Sequence, residues 1–267
     1  MEFDRNYNIT WGKEHVGFDN QGSEVMLSLD EHSGAGFGSK LSYGSGIFQM
    51  RMKIPPKDSA GVITTFYLTS FDNAHDELDF EFMGNGEGKP ITLQTNVFVD
   101  GQGGREQRFY LWFDPTTQFH TYKILWNDHT IVFYVDDTPI RIFKNNTRNG
   151  VPYPSKAMQV ECSIWNASWA GQTPIDWSHA PYIAHYQGFS INDTCSSICN
   201  HQDCSGVQHC SSSEYWWNSK NLWQLDTNQQ KKYKYVTTKY MTYDYCTDRE
   251  RYPNPPIECN FNRFDAI

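Results

Sequence analysis

Between Glu77 and Phe82 acidic and apolar residues alternate without a break, as Glu77-Leu78-Asp79-Phe80-Glu81-Phe82. Successive side chains of a β-strand point to opposite faces, so a period of two divides this segment cleanly. Leu78, Phe80 and Phe82 take one face and predict a core beneath it. Glu77, Asp79 and Glu81 take the other. Three neighbouring carboxylates on one sheet face repel one another, a cost that an ordinary structural strand avoids. The segment therefore calls for a sheet with one face on a core and the other lined with acids for a chemical purpose.

The same period recurs along the first 190 residues. Val25, Leu27 and Leu29 alternate with polar neighbours, Gln49 to Ile54 alternates before Pro55-Pro56, and Tyr122, Ile124 and Trp126 share a face. Thr130 to Val135 and Ile140 to Phe143 flank Asp136-Asp137-Thr138-Pro139, a hairpin signal. Short strands without helical periods between them favour an all-β sandwich or jelly roll over a βαβ fold. One helix is predicted late, where Asp226 and Gln229 form a capping pattern and Tyr233, Val236 and Tyr240 follow on one helical face. At 267 residues the chain can build one large β domain that buries roughly three quarters of its unfolded surface. The change of character near residue 190 predicts a jelly roll over 4–190 and a C-terminal extension over 191–267. Met1-Glu2-Phe3 is expected to carry no fold role.

Lys+Arg 22 against Asp+Glu 31 gives a net charge of -9, which argues against nucleic acid or anionic lipid as partner. No apolar run approaches the ~18 residues of a membrane span. Aromatics reach 16%, which suits neutral ring-shaped ligands such as sugars, and a monomer is expected. Six of the seven cysteines follow residue 190: Cys195, Cys199, Cys204, Cys210, Cys246 and Cys259. Their clustering predicts disulfides formed in an oxidising compartment. The alternative is a zinc knuckle using His201 and His209, but the paired Cys-x-x-Cys spacing of zinc modules is missing. Cys246 is expected to pair with Cys259, closing a short loop that points Arg251 toward a cleft. Of the three connectivities open to the other four cysteines, Cys195–Cys204 with Cys199–Cys210 is preferred. Cys162 is expected to be a buried free thiol. Sequons at Asn8, Asn145, Asn166 and Asn192 are consistent with secretion.

For the acidic face, a solvated patch and a calcium site are the competing readings; calcium needs roughly six to eight oxygens. A retaining glycosidase needs two carboxyls about 5–5.5 Å apart, one as nucleophile and one as acid/base. Glu77 and Glu81 have Cα atoms roughly 13 Å apart along a strand, a gap that two leaning Glu side chains can mostly close. Asp79 between them can hydrogen-bond the nucleophile.

The stretch His75 to Asn85, HDELDFEFMGN, resembles the active-site strand of plant xyloglucan endotransglucosylase/hydrolases, in glycoside hydrolase family 16. The resemblance extends through Trp-Phe-Asp-Pro at 112–115, Val-Asp-Asp-Thr-Pro-Ile-Arg at 135–141, Ser-Ile-Trp-Asn-Ala at 163–167 and the closing Tyr-Asp-Tyr-Cys-Thr-Asp with Pro-Pro-Ile-Glu-Cys. It implies a β-jelly-roll with a C-terminal extension, a secreted enzyme of the apoplast and cell wall, and xyloglucan and related β-glucans as partners. By the same resemblance Glu77 is the nucleophile, Glu81 the acid/base and Asp79 the helper. Gln94, Thr95 and Asn96 match one sugar-contacting segment and Arg105-Glu106 a second. Ser168, Trp169 and Gly171 fall in a glucan-binding loop, and Arg251 matches a C-terminal arginine that reaches the cleft. The cycle needs no metal or organic cofactor.

Several features depart from the family pattern. Asn85-Gly86-Glu87 is not a sequon, Leu78 replaces the usual Ile, and four cysteines stand at 195–210 where two are usual. The segment Trp165 to Trp177 is shorter than in common members, which bears on how acceptor or branched sugars are held. The short Asp100-Gly101-Gln102-Gly103-Gly104 loop favours transfer, with hydrolysis minor. Water at about 55 M sets a millimolar acceptor a disadvantage near 10⁵-fold, worth about 7 kcal/mol, which oriented binding in an open aromatic cleft can offset. Two other functions fit the chain: a hetero-transglucosylase using cellulose or mixed-linkage glucan as donor, and a non-catalytic glucan-binding module, which would have no need of paired acids.

Overall fold

The computed structural model describes residues 2–19, 21–56, 58–170, 174–196 and 205–262. Two antiparallel eight-stranded sheets stack face to face. From edge to edge the first runs Tyr7–Trp11, Ala35–Ser39, Gln159–Asn166, Val62–Thr69, Glu77–Met83, Thr92–Phe98, Gln107–Tyr110 and Met241–Asp244. The second runs Thr138–Lys144, Thr130–Val135, His120–Trp126, Tyr43–Lys53, Tyr182–Gln187, Glu24–Leu29 and Val16–Phe18, with Thr194–Ser196 also pairing on Tyr43–Lys53.

The period of two holds as expected. Leu78, Phe80 and Phe82 are fully buried, as are Leu27, Tyr122 and Ile124 on facing strands. Phe80 meets Tyr122 and Phe133 of the second sheet edge-on at 5.7 and 5.2 Å, and Phe82 meets Tyr122 at 4.7 Å. Burial of each such ring contributes about 1.5–3 kcal/mol, and edge-to-face geometry adds to it. The sandwich is thus clamped directly beneath the acidic strand. In the expected hairpin, Asp136 adopts a left-handed φ of +52°, which Asp tolerates. Pro139 lies in an edge strand, where its missing N–H does no harm.

The predicted helix is Thr227–Lys239, opened by a complete capping box: Asp226 accepts from the backbone of Asn228 and Gln229, and Gln229 Oε1 accepts from Asp226 N–H at 3.0 Å. Tyr233 and Val236 are buried. Tyr240 caps the C-terminus and rests on Trp112 at 5.7 Å. The C-terminal segment supplies strands to both sheets, Met241–Asp244 to the first and Thr194–Ser196 to the second.

Two expectations need correction. Phe3 does have a fold role. It is buried, with edge-on contacts to Phe18, Phe37 and Phe189 at 5.3, 5.3 and 5.2 Å and a stacked contact to Tyr7 at 5.8 Å, so it plugs one end of the sandwich. Neither preferred disulfide at 195–210 forms as expected, because Cys195 bonds Cys210 instead, with Cα atoms 5.4 Å apart. The cause is docking on one strand: Cys195 pairs opposite Ser45, and Ser45 Oγ donates to the Cys210 carbonyl at 2.8 Å. Cys199 and Cys204 lie outside the described residues. Cys246–Cys259 forms as expected, and Cys162 is a buried free thiol. Cys195, Cys210 and His209 lie close together, but the sulfurs are oxidised, which removes the thiolates a zinc ion would need.

Phe3→Ala is expected to cost about 3–5 kcal/mol, the usual loss for truncating a buried Phe, read as a drop in urea midpoint with m unchanged. An unchanged midpoint would return Phe3 to the role expected from sequence.

Candidate active site

The acidic strand is anchored before it begins. Asp76 is buried, and its carboxylate accepts the backbone N–H groups of Asp100 at 3.0 Å, Ser155 at 2.7 Å and Lys156 at 3.0 Å. Two loops are thereby tied to the N-terminal end of Glu77–Met83. Pairing then sets the register: Thr65 and Gln94 flank Glu81, Tyr67 and Asn96 flank Asp79, and Thr69 and Phe98 flank Glu77. Residues directly opposite in a ladder share a face. On the face away from the core all of these but Thr69 line a cleft of about 520 Å³ that contains all three acids, with Glu106, Arg108 and Trp169 at its sides.

The three carboxyls are not equivalent. Asp79 is buried and held well above the usual carboxylate range, first by burial and then by the charges of Glu77 and Glu81; it also shares a hydrogen bond with Glu77. These influences favour the protonated form of Asp79 beside Glu77. Glu81 is raised as well, chiefly by burial. Gln94 opposes that shift: its Nε2 donates to Glu81 Oε2 at 2.7 Å, which favours the anion. Arg108 Nε in turn donates to Gln94 Oε1 at 2.8 Å, so the amide can present only its NH₂ end to Glu81.

Of the binding residues expected from sequence, Gln94, Asn96, Glu106 and Trp169 line the cleft. Trp169 is 61% exposed and lies 6.2 Å from Trp165. Arg251 reaches the rim by a bidentate pair with Glu106, at 2.7 and 3.4 Å. The neighbouring Tyr252 donates to the carbonyl of Gly104 at 2.8 Å. Gly104 has φ +81°, and a Cβ there would sit 2.5 Å from the Tyr252 hydroxyl, so the short 100–104 loop depends on this glycine. Ser168 is exposed beside Trp169 but outside the cleft lining. Gly171 lies outside the described residues.

Thr95 and Arg105 are turned away. Thr95 pairs opposite Phe80 and is buried on the core side, accepting from Arg141 at its carbonyl, 2.8 Å, and its hydroxyl, 3.0 Å. Arg105 is buried too, its Nε donating to Glu258 Oε1 at 2.7 Å. For Thr95 the physical reason is the pleat, since immediate neighbours on a strand cannot both face the cleft; Arg105 precedes the strand Gln107–Tyr110 and is held down by its bond to Glu258. Two contributors were missed in sequence. Arg108 could have been found by counting two on from Glu106. Arg141, buried and donating to the Arg105 carbonyl at 2.6 Å, counteracts the upward shift of Asp79 from below the sheet. Its strand position alone gave no such signal.

Comparison with known proteins is decisive. The model for glycosyl hydrolases family 16 matches residues 3–180, and that for the xyloglucan endo-transglycosylase C-terminus matches 211–259. Xyloglucan endotransglucosylase/hydrolase protein 2 of Arabidopsis thaliana is 57% identical over 267 residues, covering 98% of this chain and 90% of that one. The chain belongs to the xyloglucan endotransglucosylase/hydrolases of glycosyl hydrolase family 16. Xyloglucan endotransglucosylase/hydrolase protein A of Phaseolus angularis is 50% identical, over 98% of this chain and 89% of its own. Among solved structures, a Bacillus licheniformis β-glucanase shares the fold with TM-score 0.58 and 24% identity, over 68% of this chain and 89% of that one.

In this family member the Gln94 contact yields a pH test. With Glu81 as the proton donor expected from the sequence, donation fails as pH rises through its pKa, so the alkaline limb of kcat/KM for the donor is expected to report that group. Gln94→Leu removes a donor to the anion, which raises the Glu81 pKa further and is expected to move the limb to higher pH. A limb that stays put or moves down would separate Gln94 from proton transfer.

Proposed function

We propose that this chain is a secreted cell-wall endotransglucosylase that cleaves a β-1,4-glucan backbone with retention and transfers it to a xyloglucan acceptor. The observation that carries this reading is the placing of three acids on one face of one strand in the cleft, with Asp79 held well above the usual carboxylate range by burial and its neighbours' charges and Glu81 raised chiefly by burial. Glu77 attacks the anomeric carbon as the glycosidic C–O bond breaks, and Glu81 gives its proton to the departing oxygen. The acceptor hydroxyl then gives its proton to Glu81 while its oxygen displaces Glu77, so the enzyme is restored.

Transfer is supported by the arm of the cleft that bears Trp169 and the Glu106–Arg251 pair. An exposed indole face and a fixed ion pair at the rim suit a sugar ring held in place for attack. We assign the acceptor to that arm. Residues 191–267, on this reading, form an extension that shapes the acceptor arm, while 4–190 carry the chemistry. The disulfides and the relatives' family are consistent with secretion to the apoplast, and the enzyme is read as a monomer. A glucan-binding module without catalysis has no use for three acids side by side on one face of the cleft.

The function test is a product assay with one labelled xyloglucan oligosaccharide and each unlabelled glucan in turn. Glu77→Ala is expected to abolish cleavage and transfer while glucan binding persists; retention of more than about a tenth of activity would refute the assignment. Glu81→Gln should also collapse turnover, and Asp79→Asn should cost less.

Donor range follows from the short Trp165–Trp177 segment, which leaves less wall against a flat, unbranched chain. Activity is expected with at least one unbranched β-1,4-containing glucan as donor, besides xyloglucan. Grafting the longer family loop should raise the xyloglucan preference about tenfold, near 1.4 kcal/mol. Strict xyloglucan use by the wild type, with no effect of the graft, would overturn the loop argument.

A further inference from the structure

A fourth carboxyl lies on the same face as the three acids and has no part in the reaction just described. Glu161 pairs opposite Tyr67, and Tyr67 pairs opposite Asp79, so the three form one row across the sheet. Two strand spacings put Glu161 roughly 10 Å from Asp79, too far for bond making, and just beyond Tyr67 and Ser163 of the cleft lining. On the other side of Asp79 the row continues through Asn96 toward Glu106 and its partner Arg251.

The next strand is shaped to admit this side chain. Gly38 pairs opposite Glu161, and a Cβ at Gly38 would come within 2.0 Å of Glu161 Oε1 and 2.6 Å of Cδ. The carboxyl therefore lies across bare backbone, in space that any other residue would fill. Glu161 is only 7% exposed. Among the described residues no hydrogen bond or ion pair is made by its carboxyl, although its oxygens are not among the buried atoms sealed from solvent. A carboxyl desolvated to that degree without a partner is costly. An apolar side chain would fill the position without that cost. Burial pushes Glu161 up to about 8, so at mildly acidic pH it is a neutral acid that can both donate and accept. That pairing capacity matches a sugar hydroxyl. Tyr67, half-buried between Glu161 and Asp79, is itself pushed up by burial and by these acids, so the row around Glu161 remains uncharged up to Asp79.

We infer that Glu161, seated on Gly38, hydrogen-bonds a hydroxyl of the donor glucan on the arm opposite the acceptor and so forms a further donor subsite. This rests on the glucan-transfer reading above. A polymeric donor spans both arms before cleavage, whereas the acceptor occupies one. A contact on the far arm must therefore act on the donor alone.

The test is transfer kinetics with donor and acceptor varied separately, on the full chain, with melting measured for each variant. Glu161→Ala is expected to raise donor KM roughly fivefold, the loss of one hydrogen bond, with kcat and acceptor KM unchanged. Glu161→Gln, which keeps donor and acceptor atoms, should stay within about twofold of wild type. Gly38→Ala leaves Glu161 in place but displaces its carboxyl, and should reproduce the Glu161→Ala phenotype even if that variant folds poorly. Unchanged donor KM in Gly38→Ala, an equal rise in acceptor KM, or a Gln variant as impaired as Ala would each overturn the subsite. An inactive wild type would instead overturn the transferase reading, so the two failures are distinct.

Discussion

Mutual repulsion of carboxylates on one strand is the constraint around which this protein is organised. Left alone, Glu77, Asp79 and Glu81 would splay or drive the strand apart. The strand stays straight because its other face is locked by Phe80 and Phe82 against Tyr122 and Phe133, and because Asp76 ties its entry to two loops. Repulsion is then relieved chemically rather than by movement. Burial and the neighbouring charges favour a proton on Asp79, and Glu81 is steadied by an amide whose orientation is enforced from behind by Arg108. The core thus does catalytic service: it holds charges at a spacing they would not choose.

Much of this was legible in the sequence because alternation is a strong signal when acids and aromatics take turns. The acidic face, its apolar underside, the capping box at Asp226 and the Cys246–Cys259 loop all follow from local pattern. The errors have a common origin. Thr95 and Arg105 were drawn toward the cleft by their neighbours in a motif, yet the pleat sends Thr95 to the other side and a distant carboxylate, Glu258, holds Arg105 down. Phe3 was dismissed because a single aromatic near a terminus has no period to reveal its burial. Cys195 found Cys210 because both ends of the intervening segment dock on the strand Tyr43–Lys53, a tertiary fact that cysteine spacing does not encode. Arg141 is of the same kind, since a buried cation acquires its meaning only from what lies above it.

The C-terminal segment belongs to the site, although it comes last in the chain. Arg251 and Tyr252 hold Glu106 and the 100–104 loop in place, and Arg105 reaches down to Glu258. Each of these contacts links positions more than a hundred residues apart. The cleft wall around Glu106 is therefore braced through polar bonds, which are directional and resist sliding. Such bracing suits a reaction in which one chain half leaves and another molecule must enter the same space before water reacts.

The edges of the catalytic sheet carry one more consequence. One edge is Tyr7–Trp11 and the other is Met241–Asp244, strands from opposite ends of the described chain. During synthesis the growing polypeptide can begin the sheet early but cannot finish it until the last strand has emerged. Pairing over such sequence distances is slow. While it is awaited, Gln107–Tyr110 is a bare edge open to other chains, and the cleft lacks the wall that Arg251 supports. The nascent chain is thus both incomplete as an enzyme and exposed to misassociation until Met241–Asp244 has emerged. Completion of the sheet and gain of function are, for this fold, the same event.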